Sequence, residues 1–333
     1  MTRPQPGWRP ALRDGVSASR IAVSGGPWGS VAQFLSARLR AGIDWPARIA
    51  QGDVLDQHGQ PLAADAPCAE GAVLWYWRSL PPEPRVPFDV TLLHQCEHLV
   101  VVDKPHFLAV TPGGRHLQET VLVRLKRLLH IDTLVPIHRL DLETAGVLAF
   151  CVQPATRGAY HALLREHGAH KVYEAVAPWC ADRVLPLRAS HHLQEPAGKG
   201  FMQMQVRPGA PNAHMQLSLI QHLGEDAHGT ELALYRMVPT TGRKHQLRAQ
   251  MNALGMPIVG DRIYPRLWPA PAQDNEPDYR NPLQLLARSL AFTDPVTGQA
   301  RRFVSQQTLA CVTPPDNLQT SPQTQPSSTH AAP

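Results

Sequence analysis

Ile137-His138-Arg139-Leu140-Asp141-Leu142-Glu143-Thr144-Ala145-Gly146 leads from a polar turn straight into the apolar stretch 145–152. A short apolar run bounded by turn residues reads as a strand at the centre of a sheet. An aspartate just ahead of such a strand sits at the rim of the sheet. A substrate can reach it there, and burial makes it costly to leave the carboxylate unpaired. On local physics alone, the commoner reading of Arg139-x-Asp141 is an ion pair or a capping residue.

Working outward, residues 98–102 read as a buried strand halted by Asp103-Lys104-Pro105, since proline cannot continue a ladder. Residues 119–129 place apolar side chains at 121, 122, 125, 128 and 129 along a helix face, with Arg124, Lys126 and Arg127 largely opposite. Downstream, a helix is expected over 154–167 and strands over 171–177, 202–207, 213–222, 231–238, 284–292 and 301–304. The stretch 265–282 holds five prolines and reads as a loop. Helices and strands interleave without a regular βαβ repeat, so the class is α+β.

The second informative stretch is Pro239-Thr240-Thr241-Gly242-Arg243-Lys244-His245-Gln246-Leu247-Arg248. The pattern predicts a helix over 242–254 that ends at Gly255 and carries Leu247, Met251 and Leu254 on its inner face. Arg243, Lys244 and Arg248 gather positive charge near its start, where free N–H groups favour a phosphate. A solvated basic helix face is the plain alternative.

The 333 residues carry 32 Lys and Arg against 27 Asp and Glu, a formal charge of +5, which suits a nucleic-acid partner without requiring one. The hydrophobic fraction of 43% supports a packed core and excludes wholesale disorder. No apolar run approaches membrane-spanning length, and the start lacks the apolar core of an export signal. Five scattered cysteines without a CxxC pair read as reduced thiols of a cytoplasmic protein. His94 and His98 have HxxxH spacing but run into a strand, where two such rings do not converge. His191-His192 is expected in a loop, so no metal site is assigned.

Taken together, HRLD before a Thr-small-Gly strand, then TGR-x-HQLR and LGMPIVGDRIY, resemble the RluA family of pseudouridine synthases. VVVDKPHFLAVTPGG at 100–114, KVYEAVA at 171–177 and LLARSLAFTDPVTGQ at 285–299 follow the family's order, so the resemblance spans about residues 88–303. It implies a bent, largely antiparallel mixed sheet flanked by helices, acting as a monomer on structured RNA. Ribosomal RNA comes first and transfer RNA second, and no cofactor is required. By the same resemblance Asp141 is the catalytic aspartate and Arg248 the buried arginine that pairs with it and orients it. Tyr173 stacks on the target base, and Arg139 fills the gap left by the flipped uridine. His138, Arg243, Lys244, His245 and Leu247 line the substrate site, Leu247 more as packing than as contact. Two departures stand out: Ala145 where the family has serine, and Lys244 where threonine or serine is common.

The amino-terminal part weakly resembles a small alpha-L RNA-binding module. This gives a flexible arm over 1–25, a degenerate module over 26–80, a Pro-rich linker over 81–87, a catalytic domain over 88–312 and a disordered tail over 313–333. From residue 28 to 80 four Arg face five acidic residues, a net charge of −1 that favours packing over phosphate contact. Two other classes fit less well. A non-catalytic RNA-binding or ribosome-assembly factor would be expected to lack Asp141 or Arg248. A small-molecule lyase or hydrolase would need a closed acidic pocket.

Overall fold

The computed structural model describes residues 8–39, 42–78, 83–196, 203–268 and 278–312. The amino-terminal part forms a three-stranded antiparallel sheet of β1 (Ser19–Ala22), β2 (Val54–Leu55) and β3 (Val73–Tyr76), with β3 in the middle. Helix α1 (Val31–Arg38) starts where the Ser30 hydroxyl accepts the Gln33 N–H, and α2 (Trp45–Ala50) where the Asp44 carboxylate accepts that of Ala47. Phe34, Leu35, Trp45 and Ile49 close over Val54 and Leu74 in a core of their own.

Residues 8–25 are therefore not the loose arm expected from their composition. β1 pairs with β3 along its whole length. The Arg13 guanidinium lies 3.6 Å from the centre of the Trp77 ring, binds the Gly52 carbonyl and pairs with Asp53. Val16 is buried against Leu117 and Val123 of the larger body, and Arg127 donates to the Asp14 carbonyl at 2.9 Å. The expectation failed because the apolar residues Val16, Ile21 and Val23 are too widely spaced to show a period, yet each has its own site to fill. Residues 1–7, the start of the 81–87 linker and the 313–333 tail lie outside the described residues.

The larger body is one sheet built from β4 (Thr91–Gln95), β5 (Leu99–Lys104), β6 (Val135–Pro136), β7 (Ala145–Cys151), β8 (Ala169–Pro178), β9 (Leu187–Gln194), β10 (Gln205–Arg207), β11 (Ala213–Glu225), β12 (Glu231–Pro239), β13 (Leu285–Thr293) and β14 (Ala300–Val304). Their order is β10-β9-β11-β12-β8-β13-β7-β5-β4, with β6 on β7 and β14 on β13. All pairs are antiparallel except β13 with β7. Helices α3 (Val121–Leu129), α4 (Arg157–Arg165) and α5 (Gln246–Ala253) complete an α+β architecture. The parallel contact is short, Leu286 and Ala287 against Ala145 and Gly146. Gly146 makes it possible: its φ is +111°, and a Cβ there would stand 2.3 Å from the Ala287 carbonyl oxygen.

Several local expectations change. β5 continues through Asp103 and Lys104, both buried, because Asp103 is satisfied by Ser305, the Gln306 N–H and Gln307. In α3 Lys126 is buried and Leu128 is 66% exposed, and the amino-terminal segment packs on Val123. β9 replaces the loop expected at His191-His192. Helix α5 begins at Gln246 rather than 242, and His245 just before it is left-handed with φ +49°. Residues 242–245 are therefore a loop, and Lys244 and His245 do not share a helix face with Arg248.

Candidate active site

The turn from β6 to β7 presents Asp141 and is fixed by the hydrogen bonds of its own carbonyls. The Asp141 carbonyl accepts the Thr144 N–H at 3.2 Å. The Leu142 carbonyl accepts from the Lys104 ammonium at 3.0 Å, and the Glu143 carbonyl from His106 Nδ1 at 2.6 Å. Lys104 is fully buried and also donates to the carbonyls of Pro105 (2.9 Å) and Leu108 (2.7 Å). Burial pushes its amine down to about 7, opposed by the charges of Asp141 and Glu143. Three carbonyl acceptors match the three donors of an ammonium, so the geometry favours the charged form. His106 is also lowered by burial and stays neutral, holding its proton toward Glu143.

Helix α5 brings Arg248 into the sheet with 2% of its side chain exposed. Its closest partner is Asp261, which takes a two-pronged contact at 2.8 Å from Nε and 2.6 Å from Nη2. Glu143 lies 3.0 Å from Nη2, and Asp141 lies 3.5 Å from Nη1. The Arg248–Asp141 contact thus sits within a larger cluster: Asp261 anchors the guanidinium and Asp141 meets its remaining edge. Burial works against the arginine's charge, yet Asp261, then Asp141 and Glu143, hold its pKa above the ordinary value. Burial raises the Glu143 carboxyl despite Arg248, and the Asp261 charge adds to the rise. Asp261 also accepts the N–H groups of Ile263 and Tyr264, so it is fully engaged.

His245 Nε2 is 3.9 Å from the second Asp141 oxygen, and its ring meets Tyr264 edge-on. Burial lowers its pKa against the pull of Asp141. The Gln246 side chain ties the preceding loop together, accepting from the Thr241 hydroxyl and the Arg243 N–H and donating to the His214 carbonyl. Tyr173 on β8 is half-buried, and burial followed by the nearby Asp141 charge raises its phenol. Arg139 is exposed. Lys244 pairs with Glu195 at 3.1 Å, and Arg243 donates to the Asn212 carbonyl.

Two of the expected substrate contacts point elsewhere. Leu247 belongs to the core with Met237 and Met251. His138 accepts the Ala149 N–H through Nε2 at 3.2 Å, filling the stretch of β7 edge between β6 and β13. Burial, then the Lys171 charge, lowers its pKa to about 3, so the ring is neutral. Among the described residues no cluster of three His, Cys, Asp or Glu is placed to hold a metal. Sequence reasoning missed Asp261, Glu143, Lys104, His106 and Gln246. All five lie inside the motif stretches quoted above, and for Asp261, Glu143 and Lys104 the available signal was charge embedded in otherwise apolar surroundings.

A family model described as RNA pseudouridylate synthase matches residues 98–253. An RNA pseudouridine synthase of Synechocystis is 33% identical over 226 residues, covering 66% of this chain and 73% of that protein. The dual-specificity RNA pseudouridine synthase RluA of Vibrio vulnificus is 28% identical, covering 61% and 78%. The chain belongs to the RluA-type RNA pseudouridine synthases. The solved structure of human RNA pseudouridylate synthase domain containing 1 shares the fold, with a TM-score of 0.53, 20% identity, and coverage of 68% of this chain and 86% of that one. As an RNA pseudouridine synthase the protein is an isomerase. Its reaction breaks an N-glycosidic bond, turns the uracil and rejoins it through carbon, with no change of oxidation state overall.

Proposed function

We propose that this synthase isomerises a specific uridine of ribosomal RNA, with Asp141 as its single catalytic carboxylate. One observation carries the assignment. Three carboxylates surround Arg248, with side-chain exposures of 29% for Asp141, 11% for Glu143 and 0% for Asp261. Only Asp141 combines an open face with a light hold on the arginine, so only it is free to meet a nucleoside. Its carboxylate either attacks the nucleoside covalently or removes a sugar proton to give a glycal.

Extruding the uridine costs roughly a few kcal/mol. Tyr173, beside Asp141, offers a stacking face worth about 1–3 kcal/mol per base, and exposed Arg139 fills the vacated stack. Arg243, Lys244 and His245, on the loop that brings His245 to within 3.9 Å of Asp141, contact the RNA, while Arg248 positions Asp141. Transfer RNA is the second reading, favoured by a relative named tRNA pseudouridine synthase C from Vibrio parahaemolyticus, 32% identical over 53% of this chain. Five unpaired cysteines support a cytoplasmic setting.

The test is pseudouridine mapping across ribosomal and transfer RNA in cells with the gene, without it, and with Asp141→Asn. One uridine should lose its modification in both deficient strains, and its RNA names the substrate. Persistence of every site would leave the non-catalytic RNA-binding reading in front. In vitro, Asp141→Asn should abolish turnover while RNA affinity stays within about tenfold, because phosphate contacts dominate binding.

A further inference from the structure

β8 and β12 pair from Tyr173 with Met237 to Pro178 with Leu232, and no further. Beyond Met237 the two strands separate, and a cavity of about 290 Å³ opens between them, lined by Leu164, His167, His170, Lys171, Val238 and Thr240. Among the described residues no carboxylate lines it. Lys171 is half-buried and, among the described residues, makes no hydrogen bond or ion pair. Its Nζ lies under the loop that opens the TGRKHQ stretch, 3.8 Å from where a Cβ on Gly242 would stand. Burial lowers the amine's pKa, the effect of a cation held without a counter-charge.

Position gives this cation a purpose. Lys171 and Tyr173 are alternate residues of one strand, so their side chains leave the same face about 7 Å apart. We infer that the cleft seats a phosphodiester of the RNA backbone next to the target uridine, with Lys171 as its counter-charge and the Thr240 hydroxyl as a second donor. The cleft is near the lower edge of the roughly 300–1,000 Å³ typical of ligand sites, which suits a sugar–phosphate linkage better than a folded element. A charged hydrogen bond to phosphate would complete an ammonium that has no hydrogen bond or ion pair among the described residues. The inference rests on the RNA-modifying site proposed above and adds a fixed point for the strand that enters it.

The probe is a fluorescein-labelled RNA hairpin with a seven-nucleotide, uridine-rich loop, titrated against the full chain at several salt concentrations. Lys171→Gln should bind roughly tenfold more weakly, as expected when one charged hydrogen bond is lost. The slope of log affinity against log salt should become shallower by about 0.7–0.9, the signature of one phosphate. Lys171→Arg should restore both. In a second measurement a neutral methylphosphonate replaces each loop linkage in turn. One position should weaken the wild type and leave Lys171→Gln unchanged. That scan on the wild type still reads the contact if the variant folds poorly. An unchanged salt slope in a folded Lys171→Gln, or loop linkages that all weaken binding alike, would overturn the inference. Asp141→Asn serves as the separate control. It should keep the full salt slope, and if it retained turnover the catalytic assignment would fail without touching the cleft.

Discussion

Arg248 holds two well-buried carboxylates and the edge of a third, so its removal is felt first as stability. Arg248→Ala leaves Asp261 and Glu143 without their cation, and breaking a buried pair from one side typically costs about 3–5 kcal/mol. Urea unfolding should show that loss. Arg248→Lys keeps the charge but not the fork, so turnover should suffer more than the midpoint. His138 makes a prediction in pH. Its folded pKa of about 3 lies below the ordinary 6.5, so the unfolded chain binds the extra proton. The stability this ring contributes is complete above pH 6.5 and falls as pH drops toward 3, by at most about 1.4 kcal/mol per unit. His106 and His245, both lowered, act in the same direction. Urea midpoints between pH 7 and 4 should therefore decline, and His138→Gln, which can still accept the Ala149 N–H, should flatten the decline.

Among the elements, the β7–β13 contact depends on one glycine. Gly146→Ala would drive a Cβ into the Ala287 backbone at a φ that L residues rarely adopt, so a loss of roughly 3 kcal/mol or more is expected. Calorimetry checks it, and a neutral result would mean that the contact yields easily. This contact also shows what was legible in the sequence. β7 announced itself because its burial on both faces leaves an unbroken apolar run. Asp141, Arg248 and Tyr173 were singled out only through the family resemblance that their motifs carry; local physics alone read Arg139-x-Asp141 as an ion pair or cap. The start of α5 was not legible, since the Thr241–His245 loop is made by the Gln246 side chain rather than by local propensity. Nor was Asp261 as the main partner of Arg248: two residues 13 apart reveal a hydrogen bond only once the chain has turned back. β9, with His191 and His192, alternates too weakly to show a strand before β11 pairs with it.

For the whole molecule, the amino-terminal sheet is joined to the larger body through Val16, Leu117 and Val123. Val16→Asp places an unpaired charge in that contact and should lower the melting temperature, while a folded variant keeps the Asp141–Arg248 cluster in place. A melting curve that splits into two transitions would show that this contact couples the two parts. The strand order has another consequence. β13 lies between β8 and β7, yet it is made after every other strand except β14. On the ribosome, β4, β5 and β7 can zip together early, as can β8 with β12 and β11. The two half-sheets then wait with open edges until Leu285–Thr293 emerges to bridge them. Until then the turn that carries Asp141 and the helix α5 that carries Arg248 belong to separate halves, and the exposed edges are templates for mispairing. The enzyme is thus without an assembled site for most of its own synthesis, and premature stops before residue 285 would release chains prone to aggregate rather than partly active ones.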